Sequence, residues 1–278
     1  MSYSAEISRA NPSCFLFLID QSGSMADPFP ADPGKRKADG VADAINRLLQ
    51  NLVIKCAKAE GVRDYYYVGV IGYGDRIGPA FGGGLTGQEL VPISVVADNP
   101  VRIEERNKKI DDGAGGLIEQ KVKFPIWFDP VANKGTPMRE ALTMASGILQ
   151  KFLADHPHCF PPVLIHITDG ESTDGDPVDV MRQVTSLCSS DGDVLLFNLH
   201  ISSNAAQPIA FPAMPAGLPD QYAQMLYDTA SELTPFMQSV AKEQGFSVQP
   251  GAKGFVFNGD LTLVIQALDI GTRPSNLR

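Results

Sequence analysis

The chain has 278 residues, 44% of them hydrophobic and 20% charged, which is enough for a sizeable core and excludes a collagen-like or wholly disordered polypeptide. Its 32 acidic residues against 23 Lys and Arg give a net charge of −9, a poor basis for general binding to nucleic acid or to an anionic membrane surface. No run approaches 18 consecutive apolar residues, and residues 1–6 hold no basic segment leading into an apolar one, so a soluble, unexported chain is expected. The length suits one large domain over residues 1–278 with insertions, or two small domains. Cys14, Cys56, Cys159 and Cys188 are scattered without a CxxC pair, as expected of reduced thiols in a cytosolic protein.

The first predicted element is Cys14-Phe15-Leu16-Phe17-Leu18-Ile19, a continuous apolar run ending at Asp20, which reads as a central parallel strand. Residues 35–59 then place Val41, Ile45, Leu48, Leu49 and Leu52 at helical spacing. Residues 65–73 read as a second strand closing a right-handed strand–helix–strand unit. Residues 74–133 interrupt the alternation. Their short runs at 91–96, 101–105 and 117–128, with turns at Asp98-Asn99-Pro100 and Asp112-Gly113, predict a β-rich insertion plus an edge strand. After Thr136, Met138, Leu142, Ala145, Leu149 and Phe152 form the stripe of another helix, with Pro137 in its first turn. A buried strand at 162–168 ends at Asp169-Gly170; a helix at 177–189 and a strand at 194–201 come next. Beyond a Pro-rich loop at 202–219, one helix over 220–244, a short strand at 255–257 and a last helix through Leu261, Val264, Ile265 and Leu268 complete the chain. The pattern predicts an α/β fold, a Rossmann-like open, mostly parallel sheet with helices on both faces and a core over about 14–270. Ligands of such sheets bind at the carboxyl ends of the strands.

Three segments at those ends carry polar chemistry: Asp20-Gln21-Ser22-Gly23-Ser24-Met25, Gly135-Thr136-Pro137-Met138 and Thr168-Asp169-Gly170-Glu171. Two carboxylates and three hydroxyls, with no Cys or His among them, are hard oxygen donors suited to Mg²⁺ or Mn²⁺, or to Ca²⁺, and unsuited to zinc. Each residue also has a plain structural reading: Ser22 and Ser24 as turn residues, Thr136 as a helix N-cap, Asp169 as an Asx-turn former.

Asp20-x-Ser22-x-Ser24, followed by Thr136 and Asp169 at successive strand ends, resembles the metal-ion-dependent adhesion site of the von Willebrand factor type A (VWA) domain family. The resemblance covers residues 14–268 apart from the middle insertion. It implies that Ser22, Ser24 and often Thr136 coordinate an Mg²⁺-class ion directly, that Asp20 and Asp169 act through water, and that a protein partner supplies the Glu or Asp completing the octahedron. It also resembles small standalone bacterial members associated with stress-response, kinase–phosphatase or chaperone-type assemblies. The expected function is therefore metal-dependent protein interaction rather than catalysis, with residues 74–133 and 202–219 setting partner choice.

A metal-dependent hydrolase or phosphatase at the same site, and a metal-free scaffold, are the alternatives. An aspartyl phosphatase of the haloacid dehalogenase type needs a second Asp two residues after Asp20, where Ser22 stands, and no Gly-x-Ser-x-Gly elbow occurs. Glu171 and Asp174 are loosely placed as general bases, and Asp27, Asp32 and Asp129 are further candidates for the rim. Phe81-Gly82-Gly83-Gly84 lacks the Lys and Ser/Thr of a phosphate loop and reads as a flexible loop. His156-Pro157-His158-Cys159 reads as a helix-ending loop, and His166 and His200 as core histidines.

Overall fold

Strand β1 (Ser13–Asp20) is buried along its whole length, and alternate residues enter opposite cores. Phe15, Phe17 and Ile19 pack into one, and Cys14, Leu16 and Leu18 into the other. This two-sided burial is what an uninterrupted apolar run in a parallel sheet requires. The computed structural model describes residues 3–29, 32–111, 117–201 and 207–273.

After β1 a 3-10 turn over Gly23–Ala26 leads to a small hairpin, β2 (Pro28–Phe29) with β3 (Asp32–Arg36), and then to α1 (Lys37–Cys56). A second small hairpin, β4 (Ala57–Lys58) with β5 (Gly61–Val62), precedes β6 (Tyr66–Tyr73), the parallel neighbour of β1. The expected insertion divides its material. β7 (Ile77–Pro79) and β8 (Val91–Pro92) pair antiparallel with β6 on the main sheet. After α2 (Ile93–Asp98), β9 (Arg102–Asp111) and β10 (Leu117–Ile126) form a separate hairpin; the turn expected at Asp112-Gly113 lies outside the described residues. The alternation resumes with α3 (Met138–Asp155), β11 (Val163–Thr168), α4 (Val178–Ser186) and β12 (Leu195–Ile201). It closes with β13 (Ile209–Ala210), α5 (Gln221–Thr229), α6 (Pro235–Glu243), β14 (Phe255–Gly259) and α7 (Leu261–Thr272).

The strand order β13-β14-β12-β11-β1-β6-β7 makes an open sheet whose central pairs, from β14 to β6, are all parallel. From β1 the chain moves to β6 on one side and later to β11, β12 and β14 on the other. The β1/β11 boundary is therefore a topological switch point, where diverging loops leave a crevice. Helices α1 and α7 cover the Phe15 face, through Val41, Ile45, Leu49, Val264 and Ala267. Helices α3, α4 and α5 cover the Leu16 face, through Leu142, Leu149, Met181 and Leu226.

Two expectations are corrected. The run at 91–96 forms a strand at Val91–Pro92 alone and continues as α2, which buries Ile93 and Val96 three residues apart. A short apolar run does not separate strand from helix, and here the Asp64 carboxylate accepts the Ser94 amide at 2.9 Å, satisfying a helix-start donor from outside the segment. The single helix expected over 220–244 is two, α5 and α6. Pro235 has no amide hydrogen to continue a helix and instead opens α6, where Thr234 caps by accepting the Met237 amide. Among the described residues no helix is long and apolar enough to cross a membrane. The thiols of Cys14, Cys56 and Cys159 are buried and that of Cys188 is exposed.

The β9–β10 hairpin returns to the core through Trp127, which Asn46 of α1 fixes in place. Asn46 Oδ1 accepts the Trp127 amide at 2.8 Å, its Nδ2 donates to the Phe128 carbonyl at 3.1 Å, and the indole donates to the Val96 carbonyl at 2.6 Å. Truncating Asn46 leaves a buried amide and a buried carbonyl without partners. Asn46→Ala is expected to cost about 3 kcal/mol, read by urea unfolding with the chain's one Trp as the reporter. A loss below about 0.5 kcal/mol, the range of ordinary surface substitutions, would show that the anchor contributes little.

Candidate metal centre

Register brings the two carboxylates together. Ile19 pairs with Ile167 across the switch point, so Asp20, ending β1, stands level with Thr168, and Asp169 follows directly. The loop after Asp20 is clamped by main-chain bonds. Gln21 N–H donates to the Tyr73 carbonyl at 2.7 Å, the Gln21 carbonyl accepts the Asn133 amide at 2.6 Å, and Gly23 N–H donates to the Lys134 carbonyl at 2.8 Å. This approach leaves no room for a side chain at Gly74, where a Cβ would lie 2.6 Å from the Gln21 oxygen and 2.8 Å from that of Asn133. The loop carrying Thr136 is tied in turn to the one after Asp169: Thr136 N–H donates to Thr173 Oγ1 at 3.0 Å, and Thr173 N–H to the Thr136 carbonyl at 2.9 Å.

Within this frame Asp20 is fully buried, and its Oδ1 accepts the Ser22 amide at 2.8 Å. The Thr168 hydroxyl lies 3.0 Å from Asp20 Oδ2 and 2.9 Å from the Gly170 carbonyl, with one proton to give. Tyr222 donates to that same carbonyl at 2.5 Å, so the carbonyl keeps a donor when the Thr168 proton goes to Asp20. Ser24 Oγ donates to Asp169 Oδ1 at 2.8 Å, and Ser22 Oγ is 3.0 Å from Ser24 Oγ and 3.5 Å from Asp169 Oδ1. Thr136 is buried, with its hydroxyl 4.0 Å from where a Gly170 Cβ would stand. Ser24 is the exposed member, so the site opens to solvent there.

The motif pattern does not anticipate the sixth participant. Lys37, the first residue of α1, places its ammonium 2.5 Å from Asp169 Oδ2, and both side chains are essentially inaccessible, at 1% and 0%. A signal was present in the sequence: Lys37 precedes Val41 by four residues and Ile45 by eight, so it falls on the buried stripe of its own helix. Asp20, Ser22, Ser24 and Asp169 thus share one rim, with Thr136 beside Gly170, and a built-in cation joins them.

In kind, these oxygens fit a hard divalent cation. Ser22, Ser24 and Asp169 Oδ1 already form one close cluster, with Thr136 beside Gly170. No set of three or more His, Cys, Asp or Glu side chains gathers as a metal group among the described residues, so a cation here would draw on hydroxyls as well as carboxylates.

Below the rim runs a buried polar chain. Tyr73 OH is 2.7 Å from His166 Nε2, His166 Nδ1 is 3.1 Å from Asn198 Oδ1, and Asn198 Nδ2 donates to the Leu226 carbonyl and Thr229 Oγ1. Burial lowers His166 to about 4. Burial also lowers His200 to about 4; its Nδ1 accepts the Asn258 amide at 3.2 Å and its ring stacks on Phe257 at 4.2 Å. Both are core histidines, as expected. Burial raises the Asp20 carboxyl to about 6; the Asp169 charge adds to this, and hydrogen bonds from Ser22 and Thr168 oppose it.

The further rim candidates have other duties. Asp129 pairs with Arg102 at 2.7 Å, and the Asp27 carbonyl accepts the Lys37 amide at 2.9 Å. The Asp32 side chain lies outside the described ones. Asp174 accepts the Arg139 and Glu140 amides at 3.0 and 2.8 Å, capping α3 from a distant loop, and Glu171 is exposed.

No protein-family model matches the chain, and no curated protein matches it. Among solved structures it is similar to the ArnB paralog VWA2 from Sulfolobus acidocaldarius, at 15% identity and TM-score 0.35, over 71% of this chain and 36% of that one. It is also similar to the vWF domain of the type V pili tip protein Mfa5 from Porphyromonas gingivalis, at 16% identity and TM-score 0.31, over 58% and 39%. A third is the pilus adhesin RrgA from Streptococcus pneumoniae, at 16% identity and TM-score 0.31, over 61% and 22%. The chain spans well under half of each.

His166 carries a pH dependence. The unfolded chain takes up a proton near pH 6.5 while the folded imidazole resists until about 4, so its contribution is full above pH 6.5 and is lost as pH falls toward 4. Asp20 runs the opposite way: held at about 6 when folded, it favours the fold as pH falls below that value. His166→Gln is expected to flatten the acid limb of stability by up to about 3 kcal/mol between pH 7 and pH 4, measured by denaturant unfolding beside the wild type. Parallel curves would mean that His166 does not resist protonation in the fold.

Proposed function

We propose that this chain is a metal-dependent protein-interaction module of the VWA type, holding an Mg²⁺-class ion at Ser22, Ser24, Thr136, Asp20 and Asp169 and engaging a Glu or Asp of a partner protein. The observation that carries this reading is the convergence of two carboxylates and the Ser22 and Ser24 hydroxyls at the β1/β11 switch point, with Ser24 at the solvent opening. When bound, the ion supplies excess positive charge that attracts an anionic group.

The chain's own residues build the receptor. Ser22 and Ser24 present oxygens from a loop clamped on both sides by main-chain bonds, which holds their spacing before any ligand arrives. Asp20 orders that loop by accepting the Ser22 amide, and Thr168 orients Asp20. Binding rather than hydrolysis is supported by Asp174, one of the two acids near enough in sequence to serve as a base: its oxygens are engaged by Arg139, Glu140 and Ser172. A protein of net charge −9 does not steer an acidic partner from a distance, so recognition would depend on the contact itself.

The choice of variant matters. Removing Asp169 would leave the Lys37 ammonium buried without its carboxylate, a strongly destabilising change, whereas Ser22→Ala with Ser24→Ala removes two donors and leaves that ion pair intact. Titration calorimetry is expected to show Mg²⁺ or Mn²⁺ binding by the wild type and at least a tenfold loss in the double variant, with the far-UV spectrum unchanged. A partner captured with Mg²⁺ should be released by EDTA and should not bind the double variant. Equal metal affinity in the two proteins would refute the site.

A further inference from the structure

The Lys37–Asp169 pair joins two groups that have little other reason to be buried. Lys37 is the first residue of α1, where the positive end of the helix dipole disfavours an ammonium. Its side chain is 1% exposed, and its ammonium lies 2.5 Å from Asp169 Oδ2, while the other oxygen of the same carboxylate accepts Ser24 Oγ at 2.8 Å. Asp169 therefore carries a cation on one oxygen and the candidate metal donors on the other.

We propose that Lys37 is an internal competitor for the divalent ion: its ammonium neutralises Asp169 until metal loading releases it, so the site exchanges one cation for another and its metal affinity is set by the lysine. This rests on the metal-binding reading above and adds to it a control on the same site. Three features support it. One carboxylate has a single negative charge, and an ammonium and a divalent ion sharing it repel each other. Either cation neutralises Asp169, so exchange leaves no buried carboxylate uncompensated, whereas simple loss of the lysine would. A four-carbon stem at the first position of a helix can also move its ammonium without disturbing helical hydrogen bonds, because the first-turn amides have no intrahelical acceptors. Lysine suits this better than arginine, whose rigid fork would hold a carboxylate through two bonds.

The test uses the full chain with Mn²⁺ as the probe. In titration calorimetry Lys37→Met is expected to bind Mn²⁺ at least tenfold more tightly than the wild type, and Lys37→Arg no more tightly than the wild type. Independently, reductive methylation of the wild type read by mass spectrometry is expected to spare Lys37 in EDTA and to modify it in saturating Mn²⁺. Equal or weaker Mn²⁺ binding by Lys37→Met overturns the competition while leaving the metal site standing. Absence of Mn²⁺ binding by both wild type and Lys37→Met overturns the competition and the metal reading together. If Lys37→Met does not fold, the labelling decides: Lys37 modification unchanged by Mn²⁺, in a wild type that binds it, overturns the release.

Discussion

Burying the Asp20 and Asp169 carboxylates at the carboxyl ends of β1 and β11 would cost several kcal/mol each if their charges stood alone, and the surrounding loops are arranged to offset that cost. Asp20 takes hydrogen bonds from Ser22 and from the Thr168 hydroxyl, and burial outweighs them, raising its carboxyl to about 6. Asp169 takes a lysine and a serine. Nearly every polar contact at the rim answers this requirement. Tyr222 donates to the Gly170 carbonyl, which keeps that donor when Thr168 bonds Asp20, and α1 begins with a lysine that runs against its own helix dipole.

The sheet opens a crevice at this place, the switch point among its central parallel strands. The order in which strands are added reverses at the boundary between the parallel strands β1 and β11, so the loops leaving them diverge and open a crevice lined by the residues just past each strand end. The third contributing loop is held by bonds from both neighbours, and the insertion preceding it is pinned to α1 through Asn46 and Trp127. The β9–β10 hairpin, paired within itself and separate from the main sheet, is the kind of element that changes a binding surface while the site stays fixed.

A divalent ion and the Lys37 ammonium are two answers to the same electrostatic demand. The pair makes the metal proposal more specific, because a site with its own cation would bind metal at a threshold set by the protein. It also gives the metal-free scaffold a physical form: an ion pair that neutralises Asp169 without any ligand.

The sequence by itself determined the features that depend on local pattern. The two-sided burial of β1 was legible in six consecutive apolar residues, the helices in their stripes, four rim residues in their position at or just past strand ends, and Thr136 in its place before a helix. It was ambiguous where local pattern has two solutions. The 91–96 run became partly helix with Asp64, thirty residues away, accepting its Ser94 amide, and the 220–244 helix broke after Thr229, where Ser231 and Leu233 donate to the Leu196 and Ala252 carbonyls, before Pro235 opens a new helix that Thr234 caps. Lys37 was readable as a lysine on an apolar stripe, but its partner was not, because Asp169 is 132 positions away and the contact exists only through the register of β1 on β11 and the docking of α1 on the Phe15 face. Tertiary structure decided which oxygens of Asp20 and Asp169 are already engaged and by what, since the charge state and partners of a buried carboxylate depend on groups brought in by long-range packing rather than on its sequence neighbours.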